Sequence, residues 1–178
     1  LASPERTVTV EREWTAVEGS SMYLRAGESY TLCELLEGLL LASGNDAALA
    51  IAGSLGGSEF IERMNRKAEE LGLTASHFEN PHGLDAKGHR ASAHDLALIM
   101  AAALQNSVLA EILSMRSSCI HGVTYVNHNK LLWNCPGVNG GKTGYTKAAG
   151  RCLVTSCERG GVQLICVTLS DPNDWKDH

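Results

Sequence analysis

Features that point to nucleic-acid or membrane binding are scarce in this sequence. Aromatic residues make up only 5% of the chain, too few for a platform on which bases stack. Acidic residues outnumber basic ones, 20 to 15, whereas nucleic acids and anionic membrane surfaces attract basic patches. No uncharged apolar run reaches the roughly 18 residues of a membrane-spanning helix. We therefore expect no nucleic-acid partner and no membrane span in these residues.

Metal-binding spacings are missing as well. The six cysteines form no Cys-x-x-Cys pair, which disfavours a zinc or redox motif of that type. Several lie in apolar runs such as Leu164–Val167, so most are interpreted as small buried hydrophobic side chains, with a disulfide left as an alternative. The cysteines are Cys33, Cys119, Cys135, Cys152, Cys157 and Cys166.

Four histidines are the remaining metal candidates: His77, His82, His89 and His94. Their spacings match no common ligand pattern, and a role in ordering the surrounding loop is the preferred interpretation of His82. Glu79 and Asp85 in the same loop are weaker candidates for acid–base chemistry, because loop carboxylates are usually solvated. Three tryptophans are interpreted as packing residues: Trp14, Trp133 and Trp175. We expect no metal and no organic cofactor.

The residues that are present favour one α/β domain, of the α+β kind. A hydrophobic fraction of 44% over 178 residues suffices for a buried core. Thr31 and Glu34 form a capping-box pattern before an apolar helix, and Ser58–Leu71 has the periodicity of an amphipathic helix. After residue 117 the pattern changes, and Arg151–Cys157 and Val162–Leu169 predict a hairpin. We expect a helical cluster packed on an antiparallel sheet.

Two short motifs carry the candidate chemistry. Ser43-Gly44-Asn45 interrupts two apolar helices, and Lys142-Thr143-Gly144 lies in a Gly-rich extended segment. Each is weak alone, since either is also explained as a helix-breaking turn or a solvated strand end. Their order and spacing of about 100 residues match two of the three motifs of penicillin-interacting serine enzymes, which are Ser-x-x-Lys, Ser-x-Asn and Lys-Thr-Gly.

These residue types suit acyl transfer to and from a short peptide. The Ser43 hydroxyl can relay a proton to a leaving amine, and the Asn45 amide can both donate and accept. Lys142 supplies positive charge for a terminal carboxylate, to which the Thr143 hydroxyl adds a hydrogen bond. Gly144 has no side chain, so a peptide can lie against its strand in β-like pairing.

Three longer segments resemble serine-type D-alanyl-D-alanine carboxypeptidases, the low-molecular-weight penicillin-binding proteins of the peptidase S11 kind. The segments are Leu39–Ala48, His77–Asp85 and Val138–Gly150. The similarity extends from about Ser20 to Trp175. It implies a β-lactamase/DD-peptidase-like fold and removal of the terminal D-alanine from peptidoglycan stem peptides. It also implies inhibition by β-lactam antibiotics, a place outside the cytoplasm at the cell wall, and an oxyanion-hole N–H from Tyr145.

The sequence departs from the family at the nucleophile. The family's Ser-x-x-Lys motif is absent, because none of the six lysines follows a serine by three positions. The resemblance places that motif before Leu1 and a closing helix after His178. We therefore expect residues 1–178 to be a partial catalytic domain that forms no acyl-enzyme alone.

Two other functions stay open at this stage. One is a non-catalytic module of the same fold that binds wall peptides or penicillin. The other is a β-lactamase, although its second motif would read Ser-Asp-Asn and no segment matches a deacylating-glutamate loop. An incomplete domain would also leave a sheet edge and a helix face uncovered, so a homodimer formed through that surface is expected.

Overall fold

The computed structural model describes residues 3–178, with helices mainly before residue 115 and β-structure mainly after it. The helices and strands follow in chain order: β1 Thr7–Thr9, β2 Ser29–Thr31, α1 Leu32–Leu41, α2 Asn45–Leu55, α3 Phe60–Glu70, α4 Ala93–Leu104, α5 Ser107–Ser114, β3 Ser117–Ile120, β4 Val123–Val126, α6 Leu131–Asn134, β5 Val138–Thr146, β6 Gly150–Arg159, β7 Val162–Thr168 and α7 Asp174–Asp177. This arrangement confirms the α/β fold class.

Helix α1 begins at the predicted capping box. The Glu34 backbone N–H donates to Thr31 Oγ1 at 3.1 Å, and the Thr31 N–H donates to Glu34 Oε2 at 2.7 Å. Two of the four N–H groups that a helix start leaves without partners are thereby satisfied. Leu35 and Leu41 are fully buried along the same helix, so α1 forms the centre of the larger core cluster.

The main sheet has the strand order β5-β6-β7, with antiparallel pairing throughout. Lys142 lies opposite Val154, and Thr143 lies opposite Leu153, which is fully buried. A second core cluster packs α4 and α5 onto one face of this sheet through Met100, Leu113 and Val154. Strand β5 is a terminal strand of the sheet, so one of its edges is left for other partners.

The β6–β7 hairpin is confirmed, and β3 is an additional strand that the sequence pattern did not predict. Strand β3 pairs with β4 from Ser117↔Val126 to Ile120↔Val123. Only Ile120 of this strand is buried, so β3 lacks the apolar alternation by which half-buried strands are usually found.

Two packing predictions are wrong. None of the six cysteines is fully buried, and Cys119 and Cys166 are exposed; all six are free thiols. On β7 only the Ile165 and Val167 side packs against the helices, so Leu164 and Cys166 on the other face remain exposed. The apolar run therefore did not indicate burial on both faces. Trp133 is also exposed on the surface, beside Arg116.

In the described part of the chain, every individual helix is too short or too polar to cross a membrane. The bent pair formed by Ala93–Leu104 and Ser107–Ser114 passes the same test of length and composition only when its two helices are taken together.

Candidate active site

A cleft of about 620 Å³ lies between the Ser43-Gly44-Asn45 turn and strand β5. The turn contributes Ser43 and Asn45, and β5 contributes all residues from Lys142 to Thr146. The remaining wall residues come from six parts of the chain: Gly19, Ser20, Leu39, His82, Gly83, Leu84, His128, Arg151, Asp174 and Trp175. The fold therefore brings the two motifs to opposite sides of one groove.

Lys142 and Ser43 are in direct contact across this cleft. The Lys142 ammonium donates to Ser43 Oγ at 2.8 Å and to the Thr143 carbonyl at 2.7 Å. An ammonium only donates, so Ser43 Oγ is the acceptor and its own hydrogen is free to point at another group in the cleft. Burial of the ammonium lowers the pKa of Lys142 to about 8, which leaves it mostly cationic at neutral pH.

The turn that carries Ser43 is tight and conformationally strained. Ala42 ends α1, and the Gly44 N–H turns back to donate to the Gly38 carbonyl at 3.2 Å. Ser43 has a φ of 59°, a left-handed conformation that residues with a Cβ rarely adopt. This conformation directs the chain from α1 into α2 within three residues, so the serine lies at the mouth of the helix pair.

Asn45 begins α2 and is almost completely buried. Its Nδ2 donates to the Glu18 carbonyl at 2.8 Å, and its backbone N–H donates to the Ser20 carbonyl at 2.9 Å. Within residues 3–178, no buried side-chain oxygen or nitrogen lacks a hydrogen-bond partner, and Oδ1 of Asn45 has none, so Oδ1 is accessible. Because Asn45 lines the cleft, the structure presents its amide there as an acceptor.

The β5 side of the cleft is formed by backbone and short side chains. Thr143, Gly144 and Tyr145 all line it, and the Tyr145 side chain is 70% exposed. With β6 paired on its other side, β5 has its free edge available for an extended peptide. The structure thus brings together all six predicted site residues, while their individual roles remain predictions.

His128 is a cleft residue that the sequence did not single out. It lies between Asn127 and Asn129, both nearly fully buried; Asn127 binds the Met115 carbonyl and Asn129 the Gly140 carbonyl. Burial lowers the pKa of His128, and the positive charge of Lys142 lowers it further. A histidine between two asparagines has no recognisable spacing, so only the fold reveals this position.

The ion pair of Arg151 with Asp174 is a second cleft feature that the sequence did not predict. Arg151 Nε and Nη2 both lie 3.0 Å from Asp174 Oδ1, and the carboxylate is buried whereas the guanidinium is partly exposed. Trp175 follows on α7 and lines the cleft together with Arg151 and Asp174. Its interpretation as a packing residue alone was therefore incomplete. The pair joins β6 to α7, two elements whose contact has no local sequence signal.

The loop between α3 and α4, which contains His77, His82 and His89, lines the cleft through His82, Gly83 and Leu84, whereas His94 lies in α4. His82 Nδ1 accepts from the Leu84 N–H at 3.2 Å, and His89 Nδ1 accepts from the Glu79 N–H at 3.2 Å. Thr146 Oγ1 donates to Asp85 at 2.7 Å and ties this loop to the end of β5. Among the described residues, no three His, Cys, Asp or Glu side chains converge as a metal site.

Chemically, the cleft can hold an anionic, extended peptide and move a proton. It offers a cation in contact with a serine hydroxyl, an amide with a free acceptor oxygen, and the free edge of a strand. The sequence contains no Ser-x-x-Lys motif, the pattern in which penicillin-interacting serine enzymes carry their nucleophile and its base.

Comparison with known proteins points to one family. The profile of the D-alanyl-D-alanine carboxypeptidase family matches residues 3–173. The chain is 40% identical over 158 residues to the D-alanyl-D-alanine carboxypeptidase DacF of Bacillus subtilis, a match that covers 85% of this chain and 41% of DacF. It is 42% identical over 170 residues to DacB2 of Mycobacterium tuberculosis, covering 92% of this chain and 58% of DacB2. The chain thus spans about half the length of these relatives.

Solved structures agree with the sequence matches. The D-alanyl-D-alanine carboxypeptidase of Mycobacterium tuberculosis superposes with a TM-score of 0.89 at 39% identity, over 94% of this chain and 66% of that one. The Streptomyces K15 DD-transpeptidase superposes with a TM-score of 0.89 at 29% identity, over 95% of this chain and 73% of that one.

Proposed function

The chain belongs to the D-alanyl-D-alanine carboxypeptidase family, and from that premise we propose that its complete gene product is a serine-type carboxypeptidase of the cell wall. The enzyme removes the terminal D-alanine from peptidoglycan stem peptides through an acyl-enzyme on a nucleophilic serine. The β-lactam antibiotics acylate this same nucleophile. Residues 1–178 supply the part of the site that binds the peptide and transfers the proton.

Substrate binding rests on the β5 side of the cleft. The peptide lies along the free edge of β5, beside Gly144, with its terminal carboxylate near the Lys142 ammonium and the Thr143 hydroxyl. A cation and a hydroxyl are suitable partners for a carboxylate, because charge-assisted hydrogen bonds are the stronger ones. The Tyr145 N–H is the proposed oxyanion-hole donor.

Proton transfer rests on the turn side. Ser43 Oγ accepts a hydrogen bond from Lys142, so its own proton is available to the leaving D-alanine nitrogen. As that proton departs, Ser43 Oγ takes a proton from the Lys142 ammonium along the same hydrogen bond, so the hydroxyl is restored and the lysine becomes neutral. Asn45 presents Oδ1 to the cleft, where it accepts from an ammonium or from a substrate N–H.

The nucleophile and its base are proposed to come from a Ser-x-x-Lys motif elsewhere in the complete gene product. None of the six lysines of this sequence has a serine three residues before it. Ser43 is not assigned this role, because its Oγ accepts a hydrogen bond from the Lys142 ammonium, and a lysine that donates to the hydroxyl in this way does not take its proton.

The 2.8 Å contact between Lys142 and Ser43, across 99 residues of sequence, is the observation that carries this proposal. The test incubates the complete gene product with benzylpenicillin and measures its intact mass and the release of D-alanine from a stem-peptide mimic. We expect a penicilloyl adduct on a serine outside residues 1–178, release of D-alanine, and no adduct on the 178-residue chain alone. Lys142→Ala is expected to reduce D-alanine release strongly.

The same experiment separates the competing functions. A complete gene product that binds the peptide without forming an adduct would be a non-catalytic binding module. Rapid turnover of a chromogenic lactam, with no release of D-alanine, would identify a β-lactamase instead. Unchanged D-alanine release in Lys142→Ala would refute the role assigned to that residue.

The location is proposed from the substrate. Peptidoglycan stem peptides are trimmed outside the cytoplasmic membrane, so we propose that the complete gene product acts there. Cell fractionation with an antibody against these residues tests this, and a signal found solely in the cytoplasmic fraction would contradict it.

We also propose that the 178-residue chain self-associates, since the exposed face of β7 carries Val162 and Leu164.

A further inference from the structure

A segment that contributes no motif residue holds the Ser43-Gly44-Asn45 turn in place. This segment, Glu18–Leu24, is called the strap below. It supplies both backbone carbonyls that Asn45 binds, those of Glu18 and Ser20. A Cβ on Gly19, whose φ is 86°, would lie 2.8 Å from Asn45 Nδ2, so the strap and the amide are in close contact. The position of the strap therefore decides the orientation of the Asn45 amide.

The strap is itself fixed by one carboxylate. Asp46, the residue after Asn45, is 1% exposed and accepts four hydrogen bonds. Three of them come from the strap: Ser21 Oγ at 2.6 Å, the Met22 N–H at 3.0 Å and the Leu24 N–H at 3.0 Å. The fourth comes from the Ala47 N–H at 2.9 Å, at the start of α2. Both oxygens are used twice, so an amide in this place cannot make all four bonds.

On these contacts we propose that Asp46 is a positioning residue for acyl transfer: it fixes the strap, and the strap holds Asn45 with Oδ1 towards the cleft. Asp46 does not line the cleft itself, whereas Gly19 and Ser20 of the strap and Asn45 do, so its effect on the reaction is indirect and is assigned here to Asn45. Without the strap carbonyls, Nδ2 loses its partner and the amide is free to rotate. This inference rests on the proposed function, because it concerns the same reaction.

Asp95 offers a matched control. It is also 1% exposed in the first turn of a helix, and its Oδ2 accepts from the Ala75 N–H at 2.9 Å and Ser76 Oγ at 2.8 Å. Asp95 thus fixes a preceding segment by the same chemistry, but neither it nor that segment lines the cleft. Asp46→Asn and Asp95→Asn should lower the melting temperature by similar amounts, whereas only the former should affect the reaction.

The experiment measures the benzylpenicillin acylation rate and the melting temperature of the complete gene product. We expect Asp46→Asn to slow acylation by about a hundredfold, the usual effect of a misplaced site group, and Asp95→Asn to change it less than about twofold. In an Asn45→Ala background, Asp46→Asn should slow acylation no further, while its effect on melting persists. Ser21→Ala, which removes one of the four hydrogen bonds to Asp46 and the bond from the Tyr23 N–H to Ser21 Oγ, should show a smaller loss of the same kind if Asp46→Asn does not fold.

The possible outcomes separate the two proposals. Unchanged acylation in a folded Asp46→Asn variant would overturn the role of Asp46 and leave the proposed function intact. The same holds if Asp46→Asn slows acylation equally in the wild-type and Asn45→Ala backgrounds. Equal losses of acylation in Asp46→Asn and Asp95→Asn would also overturn it, since the effect would then be general destabilisation. A wild-type protein that is not acylated would overturn the proposed function together with this inference.

Discussion

Ser43 combines a strained backbone with a contact that serves the chemistry. Its φ of 59° is unfavourable for any residue with a Cβ, and its hydroxyl accepts from Lys142 at 2.8 Å. Strained conformations persist only where the surrounding structure enforces them, and they are common at functional sites. The turn therefore uses part of the stability of the α1–α2 pair to place one hydroxyl.

Two substitutions at this position separate strain from function. Both Ser43→Ala and Ser43→Gly lose the hydroxyl, so both should reduce acylation of the complete gene product by about a hundredfold or more. Glycine tolerates a positive φ and alanine does not, so Ser43→Gly should unfold with a free energy about 1 kcal/mol higher than Ser43→Ala. Urea titration measures this difference.

Ser170 is the control for the strain effect, because it also has a positive φ, 52°, and does not line the cleft. Ser170→Gly should likewise be more stable than Ser170→Ala, with acylation unchanged in both. Reduced acylation in the Ser170 variants, or equal stability of the two Ser43 variants, would contradict the separation of strain from function at Ser43.

Lys142 predicts a second residue-level effect, on the pH dependence of stability. Burial lowers its pKa from 10.5 to about 8, so between these values the unfolded chain holds a proton that the folded chain has released. The contribution of Lys142 to the free energy of unfolding therefore increases as pH rises from about 8 to 10.5. Below that window both states are protonated, and the buried charge destabilises the fold most.

The free energy of unfolding of Lys142→Met should therefore exceed that of the wild type most at neutral pH, and the difference should shrink towards pH 10.5. Urea unfolding at several pH values between neutrality and this limit measures the trend. Lys147→Met, at an exposed position in the turn after β5, is the control and should show no such trend. A pH-independent difference between Lys142→Met and the wild type would exclude this explanation.

At the scale of elements, patterns within one helix or hairpin were readable from the sequence and contacts between elements were not. The capping box of Thr31 and the hairpin of β6 and β7 depend on neighbours in the chain, and both are confirmed. The ion pair of Arg151 with Asp174 and the strap at Asn45 depend on tertiary packing. The strap in particular binds through backbone carbonyls, which leave no signature in residue type.

Strand β5 provides an element-level prediction through two glycines. A Cβ on Gly141 would lie 2.7 Å from the Val154 carbonyl and 2.5 Å from Asn129 Nδ2, so Gly141→Ala must displace β5 from β6 or from the loop before α6. A Cβ on Gly144 would meet Cys152 at an ordinary 3.7 Å. Gly141→Ala should cost about 1–3 kcal/mol of unfolding free energy.

Gly144→Ala should leave that free energy within about 0.5 kcal/mol of the wild type. If the peptide lies against β5 as proposed, its added methyl group narrows the cleft and raises KM for the stem-peptide mimic. Urea unfolding and steady-state kinetics on the complete gene product test both variants. Strong destabilisation of Gly144→Ala would show that this glycine is required for packing. An unchanged KM would contradict its role in peptide binding.

At the scale of the whole molecule, the family resemblance predicted the layout of the site better than local pattern predicted burial. The resemblance implied that the two motifs belong to one site, and the structure brings Ser43 and Lys142 into contact. The apolar run of β7, by contrast, suggested burial for Cys166, which is exposed. Hydrophobic alternation describes each face of a strand, but it does not say which faces the remaining chain covers.

The exposed face of β7 leads to the last prediction, self-association of the 178-residue chain. Val162 and Leu164 are 57% and 55% exposed on the terminal strand of the main sheet, and apolar surface on a strand with a free edge favours pairing between copies. Light scattering at increasing concentration should detect a dimer, and the double substitution Val162→Lys with Leu164→Lys should abolish it. The control makes the same double substitution to lysine at Val123 and Val126, which are similarly exposed on β4 at 52% and 51%. This control should leave association unchanged. A monomeric wild-type chain at all concentrations would exclude β7 as an association surface.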